Sequence, residues 1–470
     1  MSLPKDFIIR TKALLGDEYP AFEEALSGEA PISVRLNTAK PFEQSLDTPV
    51  QWAANGYYLP KRPTFTFDPL FHAGAYYVQE ASSMFLEQAL KAVAGDEPLA
   101  CLDLCAAPGG KSTLLRAALP EGSLLVSNEV IQSRSNILSE NITKWGHPAC
   151  IVTNSDPAQI GEMGALFDVI VTDVPCSGEG MFRKDSDSTD EWSVANVDLC
   201  AGRQRRIIRD IWPALKPGGY LIYSTCTYNL DENEENIEWI RNEFDAIPVS
   251  VPTQASWGIK GALKYDNPVY RFMPHVTRGE GFFLAVLQKP ETADAHEPVL
   301  SGGRSKKKDK KGGGKNQPLP LPAVAKTWLR NRADYEYEVK GASVFAFPAE
   351  HKDVLNYLFT GLKIVSAGIL VGEIKGKDLI PAQSLALSTA LDTEAFNTCE
   401  VTRELAIAYL KKEALVLDAD LPKGYLLLTY KQIPIGFVKH LGNRANNLYP
   451  QEWRIRTTYL PDEIVTLDSI

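Results

Sequence analysis

Two cysteines each lie just beyond a short apolar run. Asp168-Val-Ile-Val-Thr-Asp173 leads into Val174-Pro175-Cys176-Ser177-Gly178, and Gly219-Tyr-Leu-Ile-Tyr223 leads into Ser224-Thr225-Cys226-Thr227-Tyr228. Such runs read as buried strands, and in an open parallel sheet ligands gather beyond the carboxyl ends of the strands. Two thiols at two such ends would face one ligand. Few reactions use two cysteines on one substrate without a disulfide or a metal. Methyl transfer to carbon 5 of a pyrimidine is one of them. Carbon 5 of cytosine is a poor nucleophile until a thiolate adds to carbon 6 and turns the ring into an enamine. The reaction also needs a hydrogen-bonding group at N3 or O2 and a base for the carbon-5 proton. The pyrimidine must be unstacked and turned into a pocket. Asp173, on the Cys176 turn, could bind the N3/N4 edge, and Lys111 could pair with Asp173 or polarise the ring. Pro175 would stiffen the turn. Cys150, Cys200, Cys399 and largely Cys101 read as small buried hydrophobes. The pattern itself does not rank Cys176 against Cys226 as the attacking thiol.

A cofactor turn precedes both thiols. The strand Cys101-Leu-Asp-Leu104 runs into Cys105-Ala106-Ala107-Pro108-Gly109-Gly110-Lys111-Ser112-Thr113, with a helix expected next. Glycines at a helix N-terminus let a backbone approach a ligand closely. The segment matches a P-loop everywhere except its first glycine, which is Cys105, and Asp173 would then be the magnesium-holding acid. Three features argue otherwise. Cys105 and Pro108 replace the flexibility of a phosphate cradle. The next strand ends in Glu129, where an acid binds ribose hydroxyls in nucleoside-binding α/β folds. The strand after it is followed by Asn154-Ser155-Asp156, a second acid suited to an adenine amino group. Each acid alone reads equally as a solvated loop residue or a helix cap, but their succession favours a ligand. Ribose and adenine without phosphate describe S-adenosylmethionine. Amino-methylating enzymes carry an N/D-P-P-Y/F tetrapeptide where this chain has Asp173-Val-Pro-Cys176, which points to carbon rather than nitrogen.

Alternating strands and helices position these residues. Strands are expected at 100–104, 123–128, 149–153, 168–172 and 219–224, separated by helices, which implies a doubly wound, mostly parallel α/β sheet. A strand at 282–287 follows the turn Thr277–Gly281. We divide the 470 residues into an N-terminal RNA-binding segment (1–74), a catalytic domain (75–290), a basic flexible linker (291–322), a small β-rich module (323–395) and an RNA-binding module (396–470). The first segment should carry one amphipathic helix, Phe7 to Leu26, and a strand at Ile32–Leu36. Net charge is −10, yet residues 301–320 hold seven basic residues against one acid, and residues 421–460 hold six against one. These basic stretches offset the acidic average, which by itself argues against nucleic-acid binding. Asp231-Glu-Asn-Glu-Glu235 reads as a helix N-terminus, where acids meet the positive end of the dipole. Arg183, Lys184, Arg203, Arg205 and Arg206 read as phosphate contacts or surface charges. Seven dispersed cysteines, an odd number without a C-x-x-C pair, argue against a disulfide framework and a zinc site. The N-terminus lacks a signal-peptide core and no stretch approaches the ~20 apolar residues of a membrane span. A cytoplasmic protein without membrane or metal is expected.

In combination, Cys105–Lys111, Asp173-Val-Pro-Cys-Ser177 and Ser224-Thr-Cys-Thr227 resemble the RNA 5-methylcytosine methyltransferases of the Nol1/Nop2/Sun group. Arg35-Leu-Asn37 and Tyr76-Tyr-Val-Gln-Glu80 resemble segments that precede the catalytic domain there. The stretch from Ile433 to Pro450 is similar to the PUA-like RNA-binding tail of bacterial RsmF-type enzymes. The resemblance implies a class I S-adenosylmethionine-dependent methyltransferase fold and 16S ribosomal RNA, at its decoding region, as substrate and partner. It implies cofactor binding by Cys105–Lys111, Glu129, Asp156 and Asp173, attack by Cys226, and product release assisted by Cys176. A monomer is expected. The competing functions are a P-loop-like NTPase, a DNA cytosine-C5 methyltransferase and a non-catalytic RNA-binding assembly factor.

Overall fold

The computed structural model describes residues 3–185, 187–298, 300, 319–457, 461 and 463–470. The basic run from Arg304 to Lys315 lies outside them. The N-terminal stretch expected as one helix forms two, Lys5–Leu15 and Tyr19–Ser27. Gly16, at φ 55°, breaks the run where an L side chain would be strained. Strands β1 (Ile32–Leu36), β2 (Gly56–Leu59) and β3 (Tyr76–Val78) follow as an antiparallel sheet in the order β2-β1-β3.

The central sheet contains β4 (Ala100–Asp103), β5 (Leu124–Asn128), β6 (Cys150–Thr153), β7 (Phe167–Asp173), β8 (Leu215–Thr225), β9 (Ile247–Val249), β10 (Val269–Phe272) and β11 (Phe282–Gln288). The five strands β8-β7-β4-β5-β6 are parallel, and β11 closes one side antiparallel to β8. The parallel strands read as unbroken apolar runs because both faces are covered. Alternate side chains enter two separate cores: Leu125, Val152, Val171 and Ile222 on one face, Val126, Ile151, Ile170 and Leu221 on the other. The chain steps outward from β4 through β5 to β6, then returns to β7 on the other side of β4. Their carboxyl ends therefore frame the crevice where such sheets bind ligands.

The C-terminal third holds two small sheets, one on each side of residue 396. The strands β12 (Tyr335–Lys340), β13 (Ser343–Pro348), β15 (Ile369–Lys375) and β16 (Asp378–Pro381) form one antiparallel sheet. Between them, β14 (Ile364–Ala367) leaves that sheet and pairs antiparallel with β6, extending the catalytic sheet at its edge. The last sheet holds β17 (Asn397–Glu400), β18 (Gly424–Tyr430), β19 (Ile433–His440) and β20 (Ala445–Asn447). Its apolar face does not close on itself. Ile407, Leu428, Ile435, Tyr449 and Leu467 share one core with Val34, Leu59, Leu70 and Tyr76 of the N-terminal part. Asp68 fastens the two ends: Oδ1 accepts from the Leu70 amide, and Oδ2 accepts from Tyr76 Oη and the Leu467 amide, each at 2.9 Å. Among the described residues, no helix is long and apolar enough to cross a membrane.

Candidate active site

The glycine turn leaves β4 and enters the helix Gly110–Ala118. Its path is fixed by backbone groups: the Leu104 amide donates to Val171 O and the Ala106 amide to Asn128 O, both at 2.9 Å. Asn141 Nδ2 and Arg134 Nη2 hold the carbonyls of Pro108 and Ala107 at 2.8 and 2.9 Å. Gly109 has φ 119°, a conformation that an L side chain resists. A Cβ on Gly110 would come within 3.2 Å of the Tyr77 ring, so this glycine answers a close approach. Beneath the turn, the buried Asp103 accepts from Ser112 Oγ at 2.6 Å. Burial pushes its carboxyl up to about 7, against the opposing pull of the Ser112 bond. Burial likewise pushes the Cys105 thiol up to about 12, which makes this cysteine a packing residue rather than a nucleophile. Arg35, from β1, braces the same helix through Thr113 Oγ1 at 2.6 Å.

Glu129 stands at the end of β5, with Oε1 accepting from the Ile131 amide at 2.9 Å and Oε2 3.5 Å from Arg134 Nη1. Val130 and Ile131 beside it are 52% and 49% exposed, an apolar surface next to an acid. Asp156, beyond β6, is exposed, and its Oδ1 caps the short helix Pro157–Gly161 through the Ala158 amide at 3.0 Å. The helix-cap reading of this acid therefore holds in the geometry. Lys111 does not point a free charge at a phosphate. Its Nζ donates to Asp173 Oδ2 at 2.8 Å. Burial alone would lower the lysine, but the Asp173 charge and hydrogen bond outweigh it and raise it. The other oxygen, Asp173 Oδ1, accepts from Ser224 Oγ at 2.9 Å.

The two thiols meet. Cys176 Sγ and Cys226 Sγ are 3.2 Å apart, at the ends of the adjacent parallel strands β7 and β8. The Cys176 thiol is held well above its ordinary range, first by its hydrogen bond to Cys226 and then by burial. At that distance either thiol can donate to the other. All seven cysteines are free. Among the described residues, no group of three His, Cys, Asp or Glu side chains is placed to hold a metal ion.

Several charges lie elsewhere than their residue types suggest. The acidic run expected to open a helix only partly does so, since the helix is Glu234–Phe244. Glu232 and Glu234 are fully buried. Glu234 pairs with the buried Arg271, whose Nε donates at 2.7 Å. Arg183 is committed as well: its side chain pairs with Glu280 at 3.0 Å and donates to the carbonyl of Gly279 at 2.7 Å. Arg205 Nε donates to Asn236 Oδ1 at 2.8 Å, while Arg203 and Arg206 are exposed. Glu179, three residues past Cys176, accepts from the amides of Tyr228 and Asn229 at 2.8 and 3.0 Å, bracing the Cys226 turn from the Cys176 side. Glu179 and Glu232, which brace the thiol turns, were not singled out as site residues by the sequence. The available signal was an acid a few residues beyond each thiol, inside the same turn.

Comparison with known proteins agrees with this arrangement. Residues 88–288 match the model of the 16S rRNA methyltransferase RsmB/F family. Residues 3–81 match the N-terminal domain of 16S rRNA methyltransferase RsmF, and residues 396–455 the methyltransferase RsmF PUA domain. The ribosomal RNA small subunit methyltransferase F of Shigella boydii is 31% identical, over 89% of this chain and 89% of that protein. Its namesake from Erwinia tasmaniensis is 29% identical over 96% of both. A methyltransferase homolog from Pyrococcus horikoshii superposes with a TM-score of 0.52 and 28% identity, over 61% of this chain and 95% of that one. The structure of NSun6 from the same organism with SFG, at 19% identity and TM-score 0.52, shares the fold. The sheet order, the glycine turn and these full-length likenesses agree: the chain belongs to the RsmF-type family of 16S rRNA methyltransferases.

Proposed function

We propose that this protein methylates carbon 5 of a cytosine in 16S ribosomal RNA, at the decoding region, with S-adenosylmethionine as methyl donor. The observation that carries the reading is the pair of sulfurs 3.2 Å apart beside the Lys111–Asp173 ion pair. The residues beyond β4, β5 and β6 suit that cofactor. The glycine turn opens the helix Gly110–Ala118 beyond β4, Glu129 at the end of β5 would take the ribose hydroxyls with Asp156 beyond β6, and the exposed Val130 and Ile131 offer an apolar surface for an adenine. The only cation on the glycine turn is tied to Asp173, which disfavours a P-loop reading. When bound, the cofactor supplies an electrophilic methyl group on a sulfonium.

Cys226 acts as the nucleophile. Its thiolate adds to carbon 6, and the ring electrons move to carbon 5, which takes the methyl group. Asp173 accepts from the exocyclic amino group of the base, and Lys111, paired with Asp173, orients it and polarises the ring. The carbon-5 proton passes to a solvent base. The carbon–sulfur bond then breaks, its electrons return to Cys226, and the 5,6 double bond is restored. Cys176 assists this last step: its sulfur lies 3.2 Å from the Cys226 sulfur, within reach to donate to the departing thiolate. DNA cytosine-C5 enzymes attack with the cysteine of the Pro-Cys motif; the assignment of attack to Cys226 here follows the resemblance of Ser224-Thr-Cys-Thr227 to the RNA 5-methylcytosine enzymes. The N-terminal part and the PUA domain, joined by one core, would grip the RNA together. Mapping 5-methylcytosine in ribosomal RNA from a deletion strain tests the function. One or more decoding-region cytosines should lose the mark and regain it when the intact gene is returned. An unchanged map would overturn the reading.

A further inference from the structure

A buried carboxylate joins the two thiol turns, and the proposed chemistry makes no use of it. Glu232 has 0% exposure and lies six residues after Cys226. Its Oε2 accepts from the Ser177 amide at 2.9 Å and from Gln204 Nε2 at 2.8 Å. Its Oε1 accepts from Ser177 Oγ and from Asn229 Nδ2, the latter at 2.8 Å. Ser177 directly follows Cys176, and its hydroxyl also meets Thr227 Oγ1, next to Cys226, at 3.1 Å. Gln204 secures the other flank of Cys176 by donating to Pro175 O at 3.0 Å. Its orientation is set in turn by Tyr223 Oη and Asn236 Nδ2, which donate to its Oε1 at 3.0 and 2.7 Å. Cys176 is thus held on both sides, and both holds lead to Glu232.

All four donors are neutral. A buried carboxylate satisfied only by neutral groups carries a desolvation cost that an amide or an apolar residue would avoid. What the carboxylate alone provides is acceptor capacity at both oxygens. Glutamine has the same size but would turn an amino group toward donors. We propose that Glu232 is a positioning residue for release: it fixes the Cys176 turn so that the Cys176 thiol stays within reach of the Cys226 sulfur. This inference rests on attack by Cys226 and release assisted by Cys176.

The test is Glu232→Gln, measured by RNA adduct on denaturing electrophoresis, single-turnover methyl transfer, cofactor affinity and melting temperature. The expected result is a covalent RNA adduct that accumulates about tenfold over the native enzyme. Methyl transfer in one turnover should fall by no more than about twofold, and cofactor affinity should be kept. Combined with Cys176→Ala, the substitution should add nothing, because both act on one step. Steady-state turnover within about twofold of native, or full additivity in the double variant, would overturn the proposal. Should Glu232→Gln fail to fold, Ser177→Ala decides. It removes the hydroxyl's bonds to Glu232, Thr227 and Asn229 while keeping the Ser177 amide bond to Glu232; it should raise the adduct about threefold, and an unchanged adduct level would overturn the proposal. A Cys176→Ala variant that accumulates no adduct would instead contradict the underlying thiol roles, and that result is read from this variant alone.

Discussion

The glycine turn and the thiol turns both hold the chain open at a strand end, but side chains donate to carbonyls at the first and carboxylates accept from amides at the second. At the glycine turn the amides of Leu104 and Ala106 bond to neighbouring strands, and the side chains of Asn141 and Arg134 donate to the turn's own carbonyls. At the thiol turns the backbone is fixed by buried carboxylates, Glu179 and Glu232, reaching from one turn to the other. The first arrangement suits a surface that a ligand must approach closely. The second suits two reactive atoms whose separation matters, because the carboxylates add side-chain bridges to the backbone bonds from Val174 to Ser224 O and from Gly180 to Cys226 O. Lys111 belongs to both regions: it opens the helix after the glycine turn and pairs with Asp173 before the Cys176 turn.

Lys111→Met is the largest challenge to that division. It strands Asp173, part-buried, without its cation. Turnover should fall about a hundredfold, while cofactor affinity measured by calorimetry falls by less than about tenfold. Equal losses in both would mean the two regions are one. A smaller effect isolates the glycine turn. The Asp103 carboxyl, pushed up to about 7, binds its proton more tightly in the folded state than in the unfolded one. Its contribution is therefore complete below the ordinary carboxylate range and is lost as pH rises through 7. Asp103→Asn stays neutral, so between pH 6 and 8 its stability relative to the native protein should rise by about 1 kcal/mol. Thermal melts across that range check it. A flat difference would mean that Asp103 does not titrate there.

The same contrast explains what was legible in the sequence. The five parallel strands and the glycine turn announce themselves locally, through apolar runs ended by Asp103, Glu129 and Asp173. The thiol pair was legible because both cysteines follow such runs. Glu232 and Glu234 were not. Acids between Asp231 and Glu235 resemble a solvated helix start until Ser177, Gln204 and Arg271, all distant in sequence, supply their partners. Arg183 was ambiguous for the same reason, since Glu280 lies almost a hundred residues away. The strand β14 and the core shared by Leu70 and Leu467 were equally hidden. An apolar run states that it needs cover and does not state which surface supplies it.

The central claim is that the two thiols, though 3.2 Å apart, do different work. Incubating Cys226→Ala and Cys176→Ala with ribosomal RNA and S-adenosylmethionine, then running both on a denaturing gel, tests it most directly. Cys226→Ala should show no adduct and a loss of turnover on the order of a thousandfold or more, with cofactor affinity intact. Cys176→Ala should show a persistent RNA adduct. An adduct with Cys226→Ala and none with Cys176→Ala would reverse the roles and contradict the account.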